Sequence, residues 1–277
     1  MLDALAAVVR ALLYAGVLSM VGFVLVELTL QPSQTMVQWL DRMTRRAAAL
    51  TISACLLGTF VLFLRLGGQL DDATISAVLT SSVGAATALQ VAGALMLLFS
   101  VREPSVSPAG RAGNAAIAVA SFAFNGHAAV VGFVDGLIAA AHVTAAAWWV
   151  GALFLLLHEG AHEPTQFAAL VQRFAVLALR IVGGLVIAGL ILLLVLVDFA
   201  RDPWFTPYVA TLAIKIALAL MVLSLAAYNK LRLTASLVRG DARAAGALRN
   251  TITAELLLIG AVLVATAILT TYTSPHE

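Results

Sequence analysis

Eight long apolar stretches dominate this chain of 277 residues, running approximately over 5–30, 47–66, 79–100, 115–133, 136–157, 174–197, 206–228 and 251–272. Each is close to the ~20 residues that an α-helix needs to cross a bilayer. Hydrocarbon offers no water to a backbone N–H or C=O, so a stretch that crosses it must bond internally. The apolar residues run unbroken instead of alternating, which excludes an outer-membrane barrel. Only 11% of residues are charged, against about 25% in soluble domains, so an ordinary cytosolic protein is excluded too. The fold class is therefore all-α: a polytopic membrane protein with eight transmembrane helices, forming a single bundle over residues 1–277. The N-terminus MLDALAAVVR has no basic region before its first apolar run, and that run reads as a retained helix. One cysteine, Cys55, leaves no disulfide framework and no CxxC motif.

The positive-inside rule sets the orientation. Arg42, Arg45, Arg46, Arg102, Arg111, Arg173, Lys230, Arg232, Arg239, Arg243 and Arg249 fall in alternate connections, and only Arg10, Arg65 and Arg201 mark the other side. Both termini are thus expected on the periplasmic side, with the 229–250 connection in the cytoplasm. The net charge of +2 sits in these connections and argues for topology, with the lipid bilayer and not a nucleic acid as partner. Trp39 and Trp204, near span ends, read as interfacial anchors.

Ionisable residues at membrane depth are costly and so are candidates for function. His127 and His142 flank a helical hairpin that turns near Asp135, eight residues before it and seven after. At 1.5 Å per residue both lie about 10–12 Å from the turn, on adjacent helices in the outer half of the membrane. Neutral imidazole is a ligand for copper, zinc and iron, and this matched pair is the main metal-site candidate. Met20, Cys55, Met96 and Met221 form a softer set in the inner half. Thioether and thiolate suit Cu(I), although each is also an ordinary core residue. Tyr208, Lys215, Val222 and Asn229 repeat every seven residues and share one face of the seventh span. Arg180 and Glu255 sit at similar depth, where an ion pair is expected. Gly183, Gly184 and Gly189 are expected to permit close helix packing.

His158-Glu159-Gly160-Ala161-His162 matches H-E-x-x-H, the zinc-binding pattern of metalloproteases. It falls where the fifth span leaves the membrane, Gly160 weakens a helix there, and Pro164 follows. A solvated helix end explains it better than an intramembrane protease, which would also need a third ligand.

Several segments together resemble the CopD family of copper-resistance membrane proteins. They are Gly126–Ala128, AHVTAAAWWVGALFLL, RFAVLALRIVGGLVIAGL, YVATLAIKIALALMVLSLAAYNKLRL and RNTITAELLLIGAVLVATAILTTYTSP. Ala152 stands where the family has a second glycine after the tryptophan, and Gln90 where it has an arginine. The resemblance implies an eight-helix protein of the bacterial inner membrane that moves copper, not an enzyme, often beside a small periplasmic CopC-type copper-binding partner. It carries over His127, His142, Trp149, Lys215, Asn229 and Glu255 as functional residues. Paired histidines on neighbouring helices also hold b-type haem, so a haem- or porphyrin-binding redox protein is the alternative.

Overall fold

The computed structural model describes residues 1–68, 71–103, 105–124, 132–160, 164–196, 206–239 and 242–272. Nearly all of them are helical, and there is no strand among them. Helix α1 spans Leu2–Leu30, α2 Gln34–Arg65, α3 Asp72–Thr80, α4 Ser82–Ser100 and α5 Pro108–Ala120, which tightens into a 3-10 turn over Ser121–Ala123. Then come α6 Phe133–Glu159, α7 Pro164–Leu196 and α8 Pro207–Tyr228. A π turn over Asn229–Thr234 joins α8 to the short α9 (Ala235–Val238), and α10 (Ala242–Tyr272) ends the described chain.

Seven of these helices are long and apolar enough to cross a membrane. The fold is an all-α polytopic membrane bundle. The expected fourth span is represented by α5, which begins at Pro108 rather than 115 and whose described part ends by Ala123.

Several helices run beyond the apolar stretches into what the sequence marks as connections. Helix α2 starts at Gln34, thirteen residues before the expected span, and its first turns bury Met36, Leu40, Thr44 and Ala47 against the bundle. That 3.6-residue stripe explains the extension: a polar helix forms in water when one face has a core to cover. Trp39 therefore lies within a helix rather than a loop, stacked on His158 with ring centroids 4.3 Å apart. Trp204 falls outside the described residues. The third span is broken at Ser81, whose hydroxyl accepts the Gly84 amide at 3.0 Å and caps α4. Asp71 caps α3 in the same way from outside the membrane. Its carboxylate accepts the Thr74 amide at 2.7 Å, and that bond holds its carboxyl below the ordinary range.

Helix α1 is the axis of the bundle, packed on α2, α5, α6 and α10. A single cluster of buried apolar side chains runs from Val17 of α1 through Trp148 and Leu153 of α6 to Ile252 of α10. Helix α7 leans on α6, and α8 on α10. The α1–α6 crossing is closest: a Cβ on Gly22 would lie 2.1 Å from the Ala147 carbonyl oxygen. The expected role of Gly183 and Gly184 is corrected here. Neither has a neighbour within 4 Å of a built Cβ, because α7 turns that face away from its helix neighbours. Gly189 alone of the three is close-packed, against the His142 ring.

At one end of the bundle lie the basic connections, called the basic end below. There Arg111 of α5 bonds both oxygens of Glu27 (3.2 and 3.1 Å) and Asp41 at 2.9 Å. Arg173 donates to the carbonyls of Leu30 and Gln31, at 3.3 and 3.1 Å, as α1 ends. At the opposite end Arg65 pairs with Asp3, and Arg10 bonds the Thr270 carbonyl.

Candidate functional site

The candidate residues gather where α6, α7, α8 and α10 approach one another. His142, on the third turn of α6, is partly buried. Its Nδ1 lies 3.1 Å from the Leu185 carbonyl oxygen of α7. A carbonyl can only accept, so Nδ1 carries the proton and the neutral ring keeps a lone pair on Nε2. Gly189 lets the ring lie against α7: a Cβ there would meet Cε1 at 3.0 Å. Lys215 of α8 is within electrostatic reach of this imidazole. His127, the other half of the expected pair, lies outside the described residues.

Seven residues along α6, two turns nearer the basic end, Trp149 faces a cavity of about 190 Å³. Its apolar wall includes Leu153 and Leu156 of α6, Phe174 and Ala178 of α7, and Ile252 of α10. Trp149, Asn229 and Glu255 bring polar groups to it. Asn229 Nδ2 donates to Glu255 Oε1. Glu255 is 1% exposed, and its Oε2, the Asn229 Oδ1 and the Trp149 Nε1 are all buried without a hydrogen-bond partner. The π turn makes this possible. Helix α8 shows the face of Tyr208, Val222 and Asn229 to α10, and widening the helix at Asn229 brings Lys230 and Thr234 onto the cavity as well. Such π turns recur at functional sites.

The expected Arg180–Glu255 ion pair is not formed: Arg180 is exposed, and Glu255 is buried with Asn229 as its partner. Position along two helices fixed the shared depth of the two groups but not the rotation of α7, which turns Arg180 outwards.

The sulfur residues divide. Met20 and Cys55 are buried in the α1–α2–α4 half, Met20 accepting from Thr51 at 3.7 Å and Cys55 donating to Gln90 at 3.5 Å. Met96 and Met221 are 44% and 54% exposed on outer surfaces of the bundle. Among the described residues no three histidine, cysteine, aspartate or glutamate side chains converge on one point.

The H-E-x-x-H segment ends α6, with Gly160 as its cap, as the sequence suggests. Its described part, residues 158–160, is not fully solvated, however. His158 stacks on Trp39 because α2 extends over this end, and Glu159 is 4% exposed. His162 lies outside the described residues.

Comparison with known families now decides the kinship. The model described as "Copper resistance protein D" matches residues 168–269, and that described as "Copper resistance protein D-like, N-terminal domain" matches residues 1–137. The chain belongs to the CopD family. It is accordingly a multi-pass inner-membrane protein related to copper resistance. No curated protein and no solved structure matches it. The two matches reach over most of the chain, including the helices that carry Lys215, Asn229 and Glu255, and leave residues 138–167, with His142 and Trp149, between them. Glu27, Asp41 and Arg111 were missed in the sequence. Glu27, an acid inside an apolar run, was the signal for a buried partner.

Proposed function

We propose that this CopD-family protein carries copper ions across the inner membrane through one bundle of helices, with His142 and His127 as a station in the outer half. The observation that carries this reading is the His142–Leu185 bond of 3.1 Å. Metal-binding imidazoles commonly give their second ring nitrogen to a carbonyl, which fixes the ring and leaves the other nitrogen for the metal. Lys215, close enough to repel a cation there, keeps the station weak, and transport needs binding loose enough for release. Copper is the substrate, and the periplasmic face of the station suits exchange with a small CopC-type copper-binding partner. The haem alternative draws on the same His127–His142 pair, and a Soret band in the absorption spectrum of the purified protein would favour it over copper.

The test is copper content. His142→Ala should lower the copper bound per purified protein at unchanged yield, and abolish the change in cellular copper that expression causes. Met221→Leu should have a smaller effect, because that side chain sits on an outer surface. A folded double variant lacking both His127 and His142 that still binds and moves copper like wild type would overturn the proposal.

The outer position of the station depends on orientation. With the basic connections inside, reporter fusions after residue 240 should read cytoplasmic and fusions at the C-terminus periplasmic. The reverse pattern would place His142 on the cytoplasmic side and remove the proposed route to a periplasmic partner.

A further inference from the structure

We propose that the cleft between α7 and α8 holds an acyl chain of an anionic phospholipid, with Lys230 at its mouth taking the headgroup phosphate. The two flanking helices lean on different partners, α7 on α6 and α8 on α10. Between them lies the cavity of about 190 Å³, with Trp149, Leu153 and Ile252 along its inner side. Its lips face outwards: Leu179 of α7 is 67% exposed, and Ala227 of α8 is exposed as well. Hydrocarbon supplies no water at this depth, so an outward-facing apolar gap takes a lipid chain or another protein.

Length and polarity match a phospholipid of one leaflet. The α7 residues on the cleft run from Val171 to Val182, eleven residues or about 16 Å of helix. That is about half of the ~30 Å hydrocarbon thickness, and it begins at the basic end. The opening is apolar along α7 and carries its charge at that end, on Lys230 of the π turn. Lys230 is exposed and forms no ion pair with a described residue. Its flexible stem can carry the ammonium out to headgroup level, and Thr234 brings a hydroxyl one turn further on. Arg232 and Arg239, exposed on the same connection, add positive charge. Basic recesses between membrane helices take the headgroups of anionic lipids.

The acid nearest the cleft does not oppose this. Glu255 Oε1 accepts from Asn229 and its Oε2 is buried, so the carboxyl is turned away from the opening. A second copy of this chain suits the cleft less well than a lipid. At the basic end Glu27 and Asp41 are held by Arg111 and Glu159 is buried, which leaves Glu103, beyond α4, as the described acid it could bring to Lys230.

The experiment follows the tryptophan fluorescence of the purified full-length protein in detergent as phosphatidylglycerol with brominated chains is added. Phosphatidylcholine with the same chains is the zwitterionic control. Bromine quenches only nearby indoles, and Trp149 lines the cavity. Phosphatidylglycerol should quench at a several-fold lower mole fraction than phosphatidylcholine, and Trp149→Phe should shrink the quenched fraction. Lys230→Ala, at an exposed position, should erase the difference between the two lipids. Ala227→Phe, also at an exposed position, puts a ring into the cleft from α8 and should weaken quenching by both. Equal quenching by the two lipids in wild type would overturn the proposal, since the cleft would then meet the bilayer only as solvent. A preference that survives Lys230→Ala, or a quenched fraction unchanged by Trp149→Phe, would overturn it too. So would a dimer in which neither lipid quenches, because a second copy would then be the occupant. No copper is added, so failure here and failure at His142 are separately visible.

Discussion

Gly22→Ala should sharply reduce the heat resistance of the purified protein, while Gly183→Ala, on a helix of the same bundle, should leave it unchanged or slightly improved. Alanine is the better helix former by about 1 kcal/mol, so propensity favours both substitutions. Packing separates them. The new methyl at 22 would lie 2.1 Å from the Ala147 carbonyl oxygen and 2.9 Å from the Gly151 amide nitrogen, both backbone atoms that no rotamer change can move. At 183 nothing lies within 4 Å. Overpacking a filled core costs typically 1–3 kcal/mol, and here relief requires α1 and α6 to separate. The crossing is at the centre of the core, between Val21, Phe23, Trp148 and Ala152, so separation would loosen contacts on both sides. Gly151→Ala repeats the clash from the other helix, 2.4 Å from the Gly22 carbonyl carbon. The measurement is the fraction remaining monodisperse after heating in detergent. Equal survival of Gly22→Ala and Gly183→Ala would show that the helices have room to shift.

That glycine pair also shows what hydropathy can and cannot read. Apolar stretches located the spans, since the bilayer demands length and apolarity, and AHVTAAAWWVGALFLL suggested kinship before any geometry was known. Which glycines touch depends on helix rotation, so the sequence points to Gly183, Gly184 and Gly189, while Gly22 and Gly151 make the closest crossing. The extensions of α2, α7 and α10 into water were hidden for a related reason: a span search scores mean apolarity, and the stripe of Met36, Leu40 and Thr44 averages out against its polar neighbours. At the cavity, Trp149, Asn229 and Glu255 were each legible from the resemblance. Their meeting was not, because it depends on the π turn at Asn229, which no spacing rule marks. Arg180 illustrates the opposite error, a correct depth joined to a wrong rotation.

Arg111→Met should destabilise the protein strongly, and adding Glu27→Gln should recover more of the loss than adding Asp41→Asn. Arg111 is held between two acids contributed by different helices, with side-chain exposures of 11% for Arg111, 8% for Glu27 and 21% for Asp41. Removing one partner of a buried ion pair costs about 3–5 kcal/mol, because it strands the other charge. The two acids are not stranded equally. Asp41 keeps an interaction with Arg45 and is the more exposed, so water and a second guanidinium both attenuate its loss. Glu27 sits one turn inside the end of α1, and both of its oxygens bond Arg111. Methionine fills the volume of the arginine stem without its charge, which separates electrostatics from a cavity effect. Thermal unfolding of the single and double variants in detergent gives the coupling directly. Sequence counting places Arg111 among the loop charges that orient the chain. Its burial between α1 and α2 means that it also locks the basic end of α5 to the helix on which the whole bundle is built, and a larger rescue by Asp41→Asn would refute that assignment.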